Sequence, residues 1–566
     1  MKNKKAINKN GLTVLAISLL IPSSLVMSAT YDPLKLQQNN FNNIDQIAPS
    51  NNESGSSSSM LDSLQRVDIN NKKSNYREVL SLLNQNKLKD ARDKISALLK
   101  QHPDEPKFYN LQAFLETLEK NNFAAQQSYQ KALQLDQKDI LAHLGLARIN
   151  IESGELDKAK DGANKILMIN DKTIGAYLLL ADIAYKQKNN AEVEALLLKA
   201  YEKVKGDIPA EIEVIKKLGK LYAIQKQPEK LQTLSEDLVK RYPGNSQAMS
   251  ALAGAQIVNN QKTLAEQTLR QLIDQEKQDT NHRLLLAKLF SEQPDKEKDV
   301  MKLLDEASEI EPNNPQSLVF KTAYLIKLQR YPEASELANK IDAKFPKLML
   351  GKILIGDVFL AEKKLDKALE SYQQAYKIQP SDKVLFTIVD LMSIQKKLPD
   401  AVKFLDKALE KNAKNAAIHF KLATVYQQLN DTPQAEKHYK AILADQPDNV
   451  LALNNLAWLY SQQSNPQAVE LAKNAYTKSP ESAAIADTYG YILIKQGQSA
   501  EGLTVLEKAA GLAPAAHDIQ VHLAEAYVAN NNKDKAIEIL ETAVKSEQDF
   551  PEKKAAVSLL DKLKVN

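Results

Sequence analysis

The chain has 566 residues, with 75 Lys and Arg against 71 Asp and Glu, and no Cys. A near-balanced charge leaves no electrostatic footprint for nucleic acid. The lack of thiols excludes disulfides, zinc–thiolate centres, a lipidated cysteine anchor and thiol catalysis.

The first ten residues, MKNKKAINKN, hold four lysines and no acid, as many charges as the whole formal excess of +4. A mostly apolar run from Gly11 to Met27 follows, interrupted late by Pro22, and Val26-Met27-Ser28-Ala29 offers small residues for cleavage. This layout predicts a secretory signal peptide over residues 1–28, with export to the periplasm or beyond. The other reading is an uncleaved N-terminal segment anchored in the inner membrane. No second apolar run of that length follows. Residues 29–70 are rich in Asn and Ser, with the run Ser54 to Ser59. That composition buries too little apolar surface to order itself, so a disordered linker is expected there.

From residue 71 to 550 one pattern recurs, and Ala416 to Asn449 displays it best. Ile418, Leu422, Ala423 and Tyr426 form one helical stripe, and Ala435, Tyr439, Ile442 and Leu443 a second. Asn430 and Asp431 between them are turn formers, and Pro447 ends the second helix. In chain order the same unit is marked by Ala91 and Pro103, Ala125 and Ala132, and Ala159. It loosens over 174–245, where Val193 and Leu231 replace the small residue and Gly206 to Pro209 adds length. Ala265, Ala307, Ala334, Ala368, Ala401, Ala468, Gly502 and Ala536 mark the later units. About 14 units of about 34 residues fill the span, a period that signals stacked helical repeats. Residues 551–566 place Ala555, Ala556, Leu559, Leu560 and Leu563 on one face, as expected of a C-terminal capping helix. Nowhere do Val, Ile and Thr alternate with polar residues as a strand requires.

The 34-residue unit resembles the tetratricopeptide repeat (TPR). His419 stands at its Trp position, Leu422 and Ala423 at Leu-Gly, Tyr426 at Tyr, Ala435 at Ala, Tyr439 at the aromatic and Pro447 at Pro. Ile442 departs from the usual second Ala. The resemblance implies an all-α, right-handed TPR superhelical solenoid of about 14 helix-turn-helix repeats with a capping helix. It also implies a concave groove lined by the first helix of each unit. Carried over, the groove of the C-terminal repeats holds Phe420, Thr424, Asn454, Trp458, Asp487, Tyr491 and Glu525. Trp458, the sole tryptophan, reads equally as a peptide anchor with Tyr491 or as a residue packed between helices. The Lys and Asn clamp of chaperone-binding members is missing at Phe420/Thr424, Asn454/Trp458 and Asp487/Tyr491. Leu453 to Ala536 (LNNLAWLY, AVELAKNAY, DTYGYILIKQG, IQVHLAEAY) also resembles the C-terminal repeats of secreted bacterial TPR proteins of exopolysaccharide and exosortase (PEP-CTERM) systems.

No nucleotide-binding, metalloprotease or serine-nucleophile motif is present. Of the seven histidines, His517 and His522 lie nearest in sequence, but five positions apart puts them on different sides of a helix. The expectation is a non-catalytic scaffold with no cofactor and no metal. Its partner would be a protein or peptide, with no nucleic acid. Contact with a membrane-embedded export or synthase complex is the second reading.

Overall fold

A computed structural model describes residues 74–85, 87–546, 550 and 552–565. The signal peptide and linker expected over 1–70 lie outside the described residues. Those residues form 29 α-helices and one short 3₁₀ turn, with no strand among them. None of these helices is long and apolar enough to cross a membrane.

One turn joins the two helices of a unit, and its hydrogen bonds explain why the period holds. After helix Ala416–Gln428, Asn430 takes a left-handed φ of 59°. The Asn430 amide donates to the Gln427 carbonyl at 3.0 Å and the Asp431 amide to that of Tyr426 at 2.9 Å. This is the Schellman closure, which satisfies carbonyls left open at a helix end. The Asp431 carboxylate then accepts from the Gln434 amide and caps the second helix, Thr432–Asp445. Lys120, Lys188, Lys363, Ser464 and Asn531 take the same left-handed conformation at the corresponding turns, and Gly154 and Gly497 do so without the steric cost of a Cβ.

The chain divides into two compact units, holding described residues 74–324 and 325–565. In the first, the marker residues Ala91, Ala125, Ala159 and Ala265 are fully buried. Close crossing of helices needs small residues there. At the stretch expected to be loose the structure supplies two compensations. Leu231 stands where the small residue belongs, and Gly219 on the facing helix Ile208–Gln225 makes room; a Cβ on it would lie 3.3 Å from Leu231 Cδ2. The added segment Gly206 to Pro209 is tied down by Glu211, whose carboxylate accepts from the Gly206 amide at 2.9 Å.

In the second unit, Ala334, Ala368, Ala401, Ala435, Ala468 and Ala536 are likewise fully buried. Helices Ala483–Lys495 and Ser499–Leu512 meet glycine to glycine: a Cβ on Gly502 would stand 2.9 Å from the Gly490 carbonyl oxygen. The last helix, Lys553–Val565, buries Ala556 and Leu560 against the same core as Leu540. Ala555, expected on that face, is exposed.

Candidate interaction surface

The expected groove residues sit on four helices: Ala416–Gln428, Val450–Gln462, Ala483–Lys495 and His517–Ala529. Each is the first helix of its pair. Phe420 is half-buried, with its ring edge-on to Tyr439 at 5.8 Å. Thr424 is half-buried and turns its hydroxyl back onto the Lys421 carbonyl at 2.8 Å.

Asn454 and Asp487 are fully buried and Trp458 is 4% exposed. Asn454, Asp487 and Glu525, the polar residues expected in the groove with Thr424, therefore do not line it alike. Glu525 is half-buried, whereas Asn454 and Asp487 are interior. The physical reason is that neighbouring units press their first helices together, so that side chains aimed at a groove meet the next helix. Trp458 lies 5.3 Å from Tyr491 and 6.4 Å from His522 between ring centroids, and Tyr491 lies 4.3 Å from His522. His522 in turn places Nδ1 2.8 and 3.0 Å from the two carboxylate oxygens of Asp487.

The structure thus assembles Trp458, Asp487 and Tyr491 around His522, a residue absent from the groove expected from the sequence. Asp487 and His522 are 35 residues apart, one repeat and one position. That offset was the available signal. His517 is apart from this cluster and rests on Phe550 at 5.2 Å. At the outer edge of the cluster, Lys495 Nζ stands 4.7 Å from the centre of the Tyr491 ring and 3.0 Å from Glu525.

Burial pulls the His522 imidazole down, but Asp487, through charge and hydrogen bond, together with Glu525 and Glu552 pushes it up to about 9. A histidine raised from 6.5 to about 9 binds its proton more tightly folded than unfolded. Its stabilisation is therefore complete below about pH 6.5 and fades as pH rises through about 9. We expect the difference in melting temperature between the wild type and the Asp487→Asn/His522→Gln double variant to shrink as pH is raised from 6 to 10. A pH-independent difference would mean that the pair is not charged in the fold.

A second histidine pair was also missed. His419 and His438, on the two helices of one unit, face each other Nδ1 to Nδ1 at 2.8 Å, and the Tyr426 ring stacks on His438 at 5.5 Å. Burial first, then His419 and Lys437, hold His438 down to about 4, so it stays neutral at physiological pH.

This fold defines a tandem helical-repeat protein, an architecture that suggests a protein-interaction scaffold. Models of the tetratricopeptide repeat match residues 118–174, 352–382, 394–459 and 493–560, and these matches support a place in the tetratricopeptide repeat superfamily. A TPR repeat-containing protein of Pseudomonas aeruginosa is 25% identical over 236 residues, covering 41% of this chain and 34% of that one. The match thus spans about a third of that relative's length. Among solved structures, an APC/C hetero-tetramer is similar at 15% identity, covering 83% of this chain and 98% of the other with a TM-score of 0.34. A TPR protein with an unusual peptide-binding site is similar at 20% identity, covering 34% and 97% with a TM-score of 0.27.

Proposed function

We propose that this protein is an exported, non-catalytic TPR scaffold that holds a protein or peptide partner along the first helices of its C-terminal repeats. One recurring arrangement supports the reading. Half-buried Phe386 lies under Lys421, whose Nζ is 5.9 Å from the ring centre and 2.5 Å from Asp390. Half-buried Tyr491 lies under Lys495 in the same way, and Lys495 is held by Glu525. Each group offers a partner an aromatic face, a cation and an acid at once, the combination that anchors peptides and fixes their register. Trp458 packs against the Tyr491 ring, and Asp487 holds His522 against the same ring.

The test is site-specific photocrosslinking from position 420 in the native host, with the captured partner then measured against purified variants. Phe386→Ala and Tyr491→Ala should each weaken binding at least tenfold, since loss of a central aromatic anchor costs about 2 kcal/mol or more. Unchanged affinity in both variants would move the partner elsewhere. Export rests on the N-terminal sequence and has its own check. Mass spectrometry of the mature chain should find Ala29 or Thr30 at its start, and a cytoplasmic chain retaining Met1 would defeat it. The likeness over Leu453 to Ala536 favours a second reading, a periplasmic assembly component of an exopolysaccharide export or secretion system. Capture of a membrane-embedded synthase or pore by the same crosslink would select it.

A further inference from the structure

The turn between helices Lys262–Gln275 and Asn281–Ser291 brings Glu276, Asp279 and His282 together, with one donor atom from each lying within 4.8 Å of the others. Two carboxylates and a histidine near one another are common on protein surfaces. What distinguishes this group is the state that the surrounding bonds impose on His282.

His282 is 8% exposed, and its Nε2 lies 2.6 Å from the Ser250 hydroxyl oxygen. That hydroxyl donates its one proton to the Ser246 carbonyl at 2.7 Å. With its proton on that carbonyl, Ser250 accepts from His282, and the imidazole then carries its own proton on Nε2. In the neutral ring Nδ1 is then a bare lone pair. It is buried and makes no hydrogen bond, yet it lies 2.9 Å from Asp279 Oδ2, out of line for one. A lone pair set against a carboxylate in a buried site is repulsive unless a proton or a metal ion stands between them.

The two acids are positioned to share such a cation. Asp279 spends Oδ1 on the amides of Asn281 and His282, at 2.6 and 3.2 Å, which leaves Oδ2 facing the ring. The Asp279 amide donates to the Glu276 carbonyl at 2.9 Å, so both acids belong to one tight turn. Glu276 is exposed and can swing its carboxylate inward. The Arg283 guanidinium is directed to the Asp279 main-chain carbonyl, at 2.6 Å, and to Glu306.

We propose that Glu276, Asp279 and His282 form a binding site for a divalent transition-metal ion of the zinc class, with Ser250 fixing the histidine tautomer from behind. An imidazole nitrogen among the donors selects zinc, cobalt or nickel over magnesium and calcium. Zinc takes nitrogen and carboxylate oxygen at about 2.0–2.2 Å, a distance that a small rotation of Glu276 provides. Metal-bound histidines characteristically donate their other ring N–H to a fixed acceptor, the role that Ser250 fills. Three protein donors leave a coordination position open for water or a partner's side chain.

The test is calorimetric titration of the purified full chain with Zn²⁺, repeated with Co²⁺ to read the visible absorption of a bound ion. One equivalent should bind. Glu276→Gln and His282→Gln should each weaken it at least tenfold, and Ser250→Ala about tenfold, the usual effect of losing an orienting partner. Glu276 is exposed, so Glu276→Gln keeps the fold and the test holds even where a His282 variant does not. No stoichiometric binding to the wild type would overturn the proposal and leave His282 as an imidazolium paired with Asp279. Unchanged binding in Glu276→Gln, or binding lost in His419→Gln instead, would overturn it equally.

Discussion

Replacing Trp458 with Ala is expected to lower the stability of the C-terminal repeats by roughly 3–5 kcal/mol, the range for truncating a buried large aromatic. Trp458 is 4% exposed and contacts the rings of Tyr491 and His522, each on the first helix of a different unit. Its removal leaves a cavity shared by three helices, Val450–Gln462, Ala483–Lys495 and His517–Ala529. Each of those helices is also packed against its own second helix, which limits how far they can close the gap, so the cavity term adds to the lost transfer energy. In a repeat array stability is a sum of unit and neighbour terms, so the loss should be local. Guanidinium unfolding followed by circular dichroism should gain an early transition, and amide exchange should accelerate across 450–529 while 74–169 stays protected. A variant that melts like the wild type would restore Trp458 to an open groove. The Trp458→Phe variant should keep most of the packing and lose less.

Arg241→Met is expected to cost a similar 3–5 kcal/mol, the usual consequence of stranding one partner of a buried pair. Glu211 is fully buried, and Arg241 reaches it through two nitrogens at 3.0 and 2.5 Å. Tyr242 adds a hydrogen bond at 2.7 Å and the Gly206 amide another at 2.9 Å. Burial pushes the Glu211 carboxyl up, but the bonds from Arg241, Tyr242 and Gly206 together hold it below its ordinary value. Its contribution is therefore present at neutral pH and lost as pH falls through the folded value. With Arg241 gone, the strongest bond holding the carboxyl down is lost while the burial that raises it stays. The carboxyl should then protonate more readily in the fold than in the unfolded chain, so the variant should recover stability on mild acidification where the wild type loses it. The Glu211→Gln/Arg241→Met double variant should regain most of the loss, because neither charge is then stranded. A double variant as unstable as the single one would show that the arginine acts by packing alone. This network ties the added segment of 174–245 to Arg241 through Glu211.

The repeat and the all-α fold were legible because they rest on local rules. Marker alanines such as Ala125, Ala368 and Ala435 recur where helices cross, and turn formers such as Asn430 and Asp431 recur where a Schellman closure must form. Both are written in a spacing of about 34 residues. The sequence could also place Trp458 and Tyr491 one repeat apart and nominate them together.

Other features depended on distances no single repeat encodes. Whether Trp458 faces solvent or a neighbouring helix depends on how tightly successive first helices pack, which is set by the side chains of three units at once. The same applies to Asp487 and His522, whose pairing needs one unit's helix to slide a single position against the next. Leu231 looked like a defect because its partner Gly219 sits on the facing helix. Glu276, Asp279 and His282 are near in sequence, with three residues from each to the next. Their meaning came from the fold, which buries His282 with Ser250 on Nε2 and leaves Nδ1 without a hydrogen bond. Local periodicity therefore determined the helices and their order. Tertiary packing decided which polar groups are buried, and burial is what gives a charge or a lone pair its energetic weight.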